Sequence, residues 1–327
     1  MAMGRGDQDP VEREVADAAA AERLRAVRRQ SAQQDRALGK WERAQRSHRR
    51  RQRFRPFLTV AVIVLVVVGG TAWVKHRRAQ TSGAAPGILL LGDGGAASGA
   101  VRIDGGQPPA GLDASPTPLG APVPAPAGEG GYQFFATQAS GQPVAWDPCR
   151  VVHLTVTPAG APAIGDQLIR QAVAAVAEAT GLTFTFDAPT DERPSADRAA
   201  YQPARYGNRW APLLIAWSDE TETPTLAGDV AGQGGGRRVE LPRGSVYVTG
   251  GVTLDRVDAI AEMEAVGGPA DMQGVIEHEL GHAVGLNHVN DPTQLMSPQL
   301  THGVDTYGDG DRRGLSRLGQ GACFPEI

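Results

Sequence analysis

The chain has 327 residues, enough for one or two domains, and a net charge of −4, so no global basicity argues for nucleic acid. Gly (42) and Pro (24) exceed average usage, aromatics make up 5%, and much of the apolar fraction is Ala. One core of modest size is therefore expected, beside substantial non-globular sequence.

Residues 1–55 are rich in Arg, Gln and Ala, with apolar positions too sparse to bury, and read as a solvated basic tail. The basic run Arg46 to Arg55 belongs to that tail, and no nucleic-acid partner is expected. The segment 56–74 follows, and Phe57 to Val74 is apolar and free of charge. At about 18 residues it is just long enough to cross a bilayer as a helix. Lys40, Arg43, Arg46, Arg49, Arg50, Arg51, Arg53 and Arg55 precede it, and only Lys75, Arg77 and Arg78 follow closely. The bias predicts a single-pass cell-membrane protein with its N-terminus cytoplasmic and its C-terminal part extracellular. Residues 75–131 are Gly-, Pro- and Ala-rich, a composition that cannot bury a core and reads as a linker.

From 132 to 327 the sequence is globular. Val151 to Thr157 predicts a strand. Asp166 to Thr180 carries Leu168, Ile169, Ala172, Val173, Val176 and Ala177 at helical spacing, with Gly181 as the stop. Thr183 to Phe186 alternates as a strand, 187–211 reads as polar loop, and Leu213 to Trp217 reads as a buried strand. The Gly-rich run within 228–238 lacks the strand–helix context of a nucleotide loop. Ser245 to Thr249 alternates as a further strand. Asp271 is expected to cap a helix that Val275, Ile276, Leu280, Ala283 and Val284 hold in the core. Asp309 or Asp311 is expected to cap a last helix, Asp311 to Leu318.

That core helix carries the pattern around which the chain is organised: His278-Glu279-Leu280-Gly281-His282-Ala283-Val284-Gly285-Leu286-Asn287-His288. Helical positions i and i+4 lie ~40° apart, so His278 and His282 share a face and can bind one metal ion. Glu279, about 100° round the helix, can reach the open coordination position without being a ligand. Two zinc ligands and a general base is the chemistry of H-E-x-x-H. On a continued helix His288 would point away, whereas Gly285 permits the turn that brings it back as a third ligand. Three His leave one position open for water, the arrangement of a catalytic zinc site. His153 and His302 read as ordinary strand or loop residues, Asp291 as a turn residue, and Tyr307 as a packed aromatic ahead of an oxyanion stabiliser. Cys149 and Cys323 bracket this region and are expected to form one disulfide, which an extracellular location permits.

The long form of the motif resembles the metzincin clan of zinc peptidases, with flanking sequence closest to bacterial matrixin-like or snapalysin-like members. The resemblance implies that Leu295-Met296-Ser297-Pro298 is the tight Met-turn beneath the three His, with Met296 at its centre. It departs from snapalysins, which have Asp where His288 stands, and from astacins, which have Tyr where Pro298 stands. No cysteine-switch segment is visible. The implied fold is α+β: a twisted mixed sheet, two long helices and a small C-terminal subdomain below the zinc. Its edge strand above the zinc would pair with extended substrate. The implied activity is that of a zinc endopeptidase acting on peptide or protein, with one catalytic Zn2+; calcium is left open. The alternatives are a zinc hydrolase of cell-wall peptides or other amides, and a non-catalytic zinc-binding surface protein.

Overall fold

The structure is a computed structural model that describes residues 99–100, 106–263 and 268–327. The expected tail (1–55), the expected span (56–74) and the linker as far as residue 98 lie outside the described residues. Among the described residues no helix is long and apolar enough to cross a membrane.

The chain opens with three two-residue strands, β1 (Gly99–Ala100), β2 (Gln133–Phe134) and β3 (Ala145–Trp146). Strand β4 (Val152–Thr157) leads into helix α1 (Gly165–Thr180) and strand β5 (Phe184–Phe186). A one-turn helix α2 (Pro203–Tyr206) precedes β6 (Leu213–Ser218). Strands β7 (Gly232–Leu241) and β8 (Gly244–Asp255) form an antiparallel pair. Helices α3 (Arg256–Met263) and α4 (Pro269–Val284), strand β9 (Leu286–Asn287) and helix α5 (Asp309–Leu318) complete the order.

The main sheet has the order β1-β7-β8-β6-β4-β5, with β3 on β8. It is mixed: β4, β5, β6 and β8 run parallel, and β7 alone opposes its neighbour β8. Parallel strands buried on both faces read as continuous apolar runs, which is why Leu213 to Trp217 shows no alternation. Leu213, Ile215 and Trp217 face the helices, where they meet Leu168, Ile169 and Val173 of α1 and Val275, Ile276 and Leu280 of α4. Full burial of such a side chain contributes about 1.5–3 kcal/mol. On the opposite face Val239, Val246 and Val248 pack under Phe324 and Ile327.

Helix α1 ends where Gly181 adopts φ 71°, and its N–H returns to the Ala177 carbonyl. The Asp271 cap and the start of the last helix are corrected, while Asp311 does take part in capping. Gly268, not Asp271, precedes α4, and Asp271 instead pairs with His302 at 2.6 Å. Gly308 precedes α5, which starts two residues earlier than expected, and the Asp311 carboxylate reaches back to accept the Gly308 N–H at 3.0 Å. The Gly-rich run, left without an element by its composition, is the start of β7.

Cys149 and Cys323 are joined by a disulfide across 174 residues, tying the entry to β4 to the C-terminus. The described part of the Gly/Pro-rich segment is held by backbone hydrogen bonds rather than by a core. Ser115 N–H donates to Cys149 O (2.8 Å), Leu119 N–H to Pro148 O (2.9 Å) and Val123 N–H to Glu178 O (3.2 Å). Arg313 of α5 donates to the carbonyls of Gly128 and Gly130.

Candidate metal centre

Helix α4 places His278, Glu279 and His282 at 0% exposure, against the helix-facing side of the sheet. Trp146 Nε1 donates to Ala283 O (3.0 Å) and pins the last turn of α4 to β3. The helix ends at Val284 because Gly285 takes φ 125°, a conformation that an L side chain resists. A Cβ there would also stand 2.9 Å from Leu318. The reversed chain forms β9 against β2 and then delivers His288 to the face that bears the other two imidazoles.

The three rings converge through Nε2. His288 Nε2 lies 3.0 Å from His278 Nε2 and 3.1 Å from His282 Nε2. The Nδ1 atoms of His278 and His282 face carbonyl oxygens, Leu295 O at 2.7 Å and Leu286 O at 2.8 Å, so Nδ1 carries the proton and donates. Each Nε2 of that pair therefore presents its lone pair, the tautomer that a metal ligand needs. Tetrahedral ligands at ~2.05 Å from zinc stand about 3.3 Å apart, close to the spacing seen here. Burial, reinforced by the neighbouring His282 and His288, holds the His278 pKa well below the ordinary imidazole value, so the ring is neutral. The donor set fits a zinc ion.

Glu279 lies under β7. Neither carboxylate oxygen has a hydrogen-bond partner among the described residues. Burial pushes its pKa well above the usual carboxylate value, and the nearby Gly234 amide opposes this only in part. Close approach of β7 explains its glycines. A Cβ at Gly232 would stand 2.9 Å from Glu279 Cγ, and one at Gly236 2.8 Å from both Ala283 O and Tyr247 Cδ1. At Gly234 it would stand 2.6 Å from the Glu279 carbonyl carbon.

Below the helix, Met296 is 1% exposed in a turn closed by Ser297 N–H donating to Gln294 O (3.2 Å). Gly281 makes room for it: a Cβ there would be 2.7 Å from the Met296 sulfur. The turn is anchored from α5. Asp311 Oδ2 accepts the Leu295 N–H at 2.7 Å, and Leu295 O in turn accepts from His278 Nδ1. Gln294 Oε1 accepts the N–H of Gly310 (2.8 Å) and Asp311 (3.3 Å). Burial raises the Asp311 pKa to about 6 against the amides that lower it.

The structure thus brings His278, Glu279, His282, His288 and Met296 together. Tyr307 is the packed aromatic expected of it: buried, with its hydroxyl donating to Glu277 O. His153 sits on β4, 2.8 Å from Asp187, and is not part of the His cluster. Asp291 Oδ1 accepts from Thr293 as a turn residue does. Sequence reasoning missed Phe135, whose ring centroid lies 5.1 Å from that of His282, and the Gln294–Asp311 bracket. The N-x-x-x-Q spacing and a late Asp carry no pattern that would have revealed either.

Residues 229–318 match the family model described as Matrixin. That span covers β7, β8, α4, the three His, the Met296 turn and α5. Over that span the chain is a metzincin-type zinc metallopeptidase. Among solved structures the metallopeptidase is similar to high choriolytic enzyme 1, a hatching enzyme zinc-protease from the medaka fish Oryzias latipes. The identity is 14%, the TM-score is 0.27, and the match covers 58% of this chain and 95% of the other.

Proposed function

We propose that this metallopeptidase is a membrane-anchored, extracellular endopeptidase that hydrolyses peptide bonds of protein substrates, with His278, His282 and His288 as zinc ligands and Glu279 as general base. The observation that carries the reading is the convergence of His278 Nε2 and His282 Nε2 to 3.0 and 3.1 Å from His288 Nε2, beside an unpartnered, buried carboxylate. Zinc held there supplies Lewis acidity, polarising a carbonyl and lowering the pKa of water to about 7. Glu279 takes a proton from the attacking water on its carboxylate and delivers it to the leaving amine. Burial raises its pKa, which favours holding the proton between the two transfers. Leu295 O and Leu286 O hold the two imidazoles in the tautomer that leaves Nε2 unprotonated. Met296 and the Asp311 bracket keep the floor of the site from shifting. The membrane anchor rests on the apolar run 56–74 and its flanking Lys/Arg bias.

The test is zinc content and casein cleavage measured together on the full-length protein, beside Glu279→Gln. One zinc in both forms, with cleavage lowered about 10²–10⁴-fold in the variant, is expected. Equal cleavage by both forms would refute the base assignment. Bound zinc with no cleavage by either form would favour the non-catalytic zinc-binding reading.

A further inference from the structure

The face of the sheet turned away from the metal helix holds a cleft of its own. Side chains alternate along a strand, so with Gly232, Gly234 and Gly236 set against α4, Gln233 and Arg237 of β7 point to the opposite face. Val252 and Leu254 of β8 belong to the helix-facing core, which turns Gly251 and Thr253 the other way, and Leu214 of β6 follows by the same rule. These residues floor a cleft of about 410 Å³, walled by the segments 194–198 and 222–225. It is hollow because Gly251 brings no side chain. A Cβ there would have one neighbour within 4 Å, Leu214 O at 3.6 Å. The volume falls in the range of about 300–1,000 Å³ common to small-ligand sites.

One guanidinium is built into this cleft without a counter-charge. Arg237 Nη1 donates to Arg198 O (2.7 Å) and Ala196 O (3.3 Å), which fixes the half-buried group but does not neutralise it. Among the described residues no carboxylate pairs with Arg237, and its Nε and Nη2 donate to no protein group. The neighbouring arginines differ: Arg198 pairs with Glu192 (2.9 Å), Arg193 with Glu222 (3.3 Å) and Arg256 with Glu222 (3.1 Å). Of the two carboxylates on the cleft wall, Glu222 is thus engaged, and Asp197 stands exposed at the rim. The Nε–H and Nη2–H bonds of an arginine form one planar fork that matches the two oxygens of a carboxylate.

We propose that this cleft is a binding site for a carboxylate-bearing ligand, gripped side-on by Arg237 Nε and Nη2 and seated over Gly251. The carboxylate has two sources, a free small acid or the acidic side chain of a peptide. Strand β7 gives one face to the cleft and the other to Glu279, so the ligand sits one strand away from the metal centre without touching it. The site therefore stands independently of the peptidase reading.

The experiment uses the full-length chain, kept metal-free so that a zinc ion cannot recruit the carboxylate. Calorimetry measures binding of glutarate and of an end-blocked pentapeptide with one central glutamate. Glutaramide and the glutamine form of the peptide are the uncharged controls. The parent is expected to bind at least one acid probe about tenfold or more tightly than its amide control, as charge-assisted bidentate bonds require. Arg237→Gln should erase that preference, and Arg237→Lys should restore part of it. Gly251→Leu fills the cleft and leaves Arg237 in place, so it should weaken the acid probe about tenfold or more. Its agreement with Arg237→Gln separates loss of the ligand from loosening of the 194–198 wall. Tighter binding of the peptide would identify an acidic polypeptide as the occupant, and tighter binding of glutarate a free acid; either sustains the site. Equal binding of acid and amide by the parent, an acid preference that survives Arg237→Gln, or binding untouched by Gly251→Leu would overturn the proposal.

Discussion

Replacing Gly234 by Ala tests whether the approach of β7 to the metal helix is what builds the site. The added Cβ would stand 2.6 Å from the Glu279 carbonyl carbon and 2.9 Å from its Cα. Ordinary carbon–carbon contact is about 3.5–4.0 Å, so strand and helix must part by about 1 Å. Both obstructing groups are backbone, and no rotamer change relieves them. Overpacking of this kind costs about 1–3 kcal/mol, and the entropy that Ala removes from the unfolded chain returns about 0.4–1 kcal/mol. The net expectation is about 1.3 kcal/mol of destabilisation, or roughly 3–5 °C in Tm for a domain of this size. Gly251→Ala is the internal comparison. It lies on the neighbouring strand β8, where the nearest atom to a Cβ is Leu214 O at 3.6 Å, and it should be neutral or slightly stabilising. Because Glu279 moves with the helix, kcat/KM of Gly234→Ala should also fall about a hundredfold, the usual consequence of a 1 Å misplacement. Thermal unfolding of the two variants, with zinc bound, is the assay. A Gly234→Ala protein as stable as Gly251→Ala would show that the glycine run is not required by packing against α4.

Two further outcomes follow from the support of the site. Asp311 has its folded pKa raised to about 6 by burial, above the ordinary 3.8. Below about pH 4 it is protonated in both states and contributes no penalty; between about 4 and 6 only the folded state keeps the proton, so stability falls as pH rises through that window. Two pKa units correspond to about 2.7 kcal/mol, so Asp311→Asn should lose less stability than the parent between pH 4 and 7 by an amount of that order. Denaturant unfolding at both pH values measures it, and an identical pH slope in parent and variant would contradict the burial argument. Reducing the Cys149–Cys323 disulfide opens a loop of 174 residues. Loop-closure entropy puts the loss at about 5 kcal/mol, with measured cases at about 2–5 kcal/mol. A midpoint unchanged by Cys323→Ser would show that the C-terminus is held by Phe324 and Ile327 alone.

The clustering of His278, His282 and Glu279 and the turn at Gly285 were legible from residue order, because a helix converts spacing of one and four into direction without reference to the rest of the chain. The apolar runs of β4 and β6, the periodicity of α1 and the disulfide pair were legible for the same reason: each is decided by local pattern or by the absence of any other partner. Three features were not. Gly232, Gly234 and Gly236 oppose strand formation by local propensity, yet they stand in β7, where a Cβ would run into Glu279 or, at Gly236, into Ala283 and Tyr247. Asp271 is buried and drawn away from its helix end to His302, whereas Asp311 closes a capping box on Gly308 and with the same oxygen holds Leu295. The orientation of His278 depends on Leu295 O, which depends on Asp311, 33 residues along the chain. By itself the sequence determined which side chains stand where they could hold a metal ion and move a proton. The tertiary structure decided how they are held, because close approach and shared hydrogen bonds arise between elements far apart in the chain.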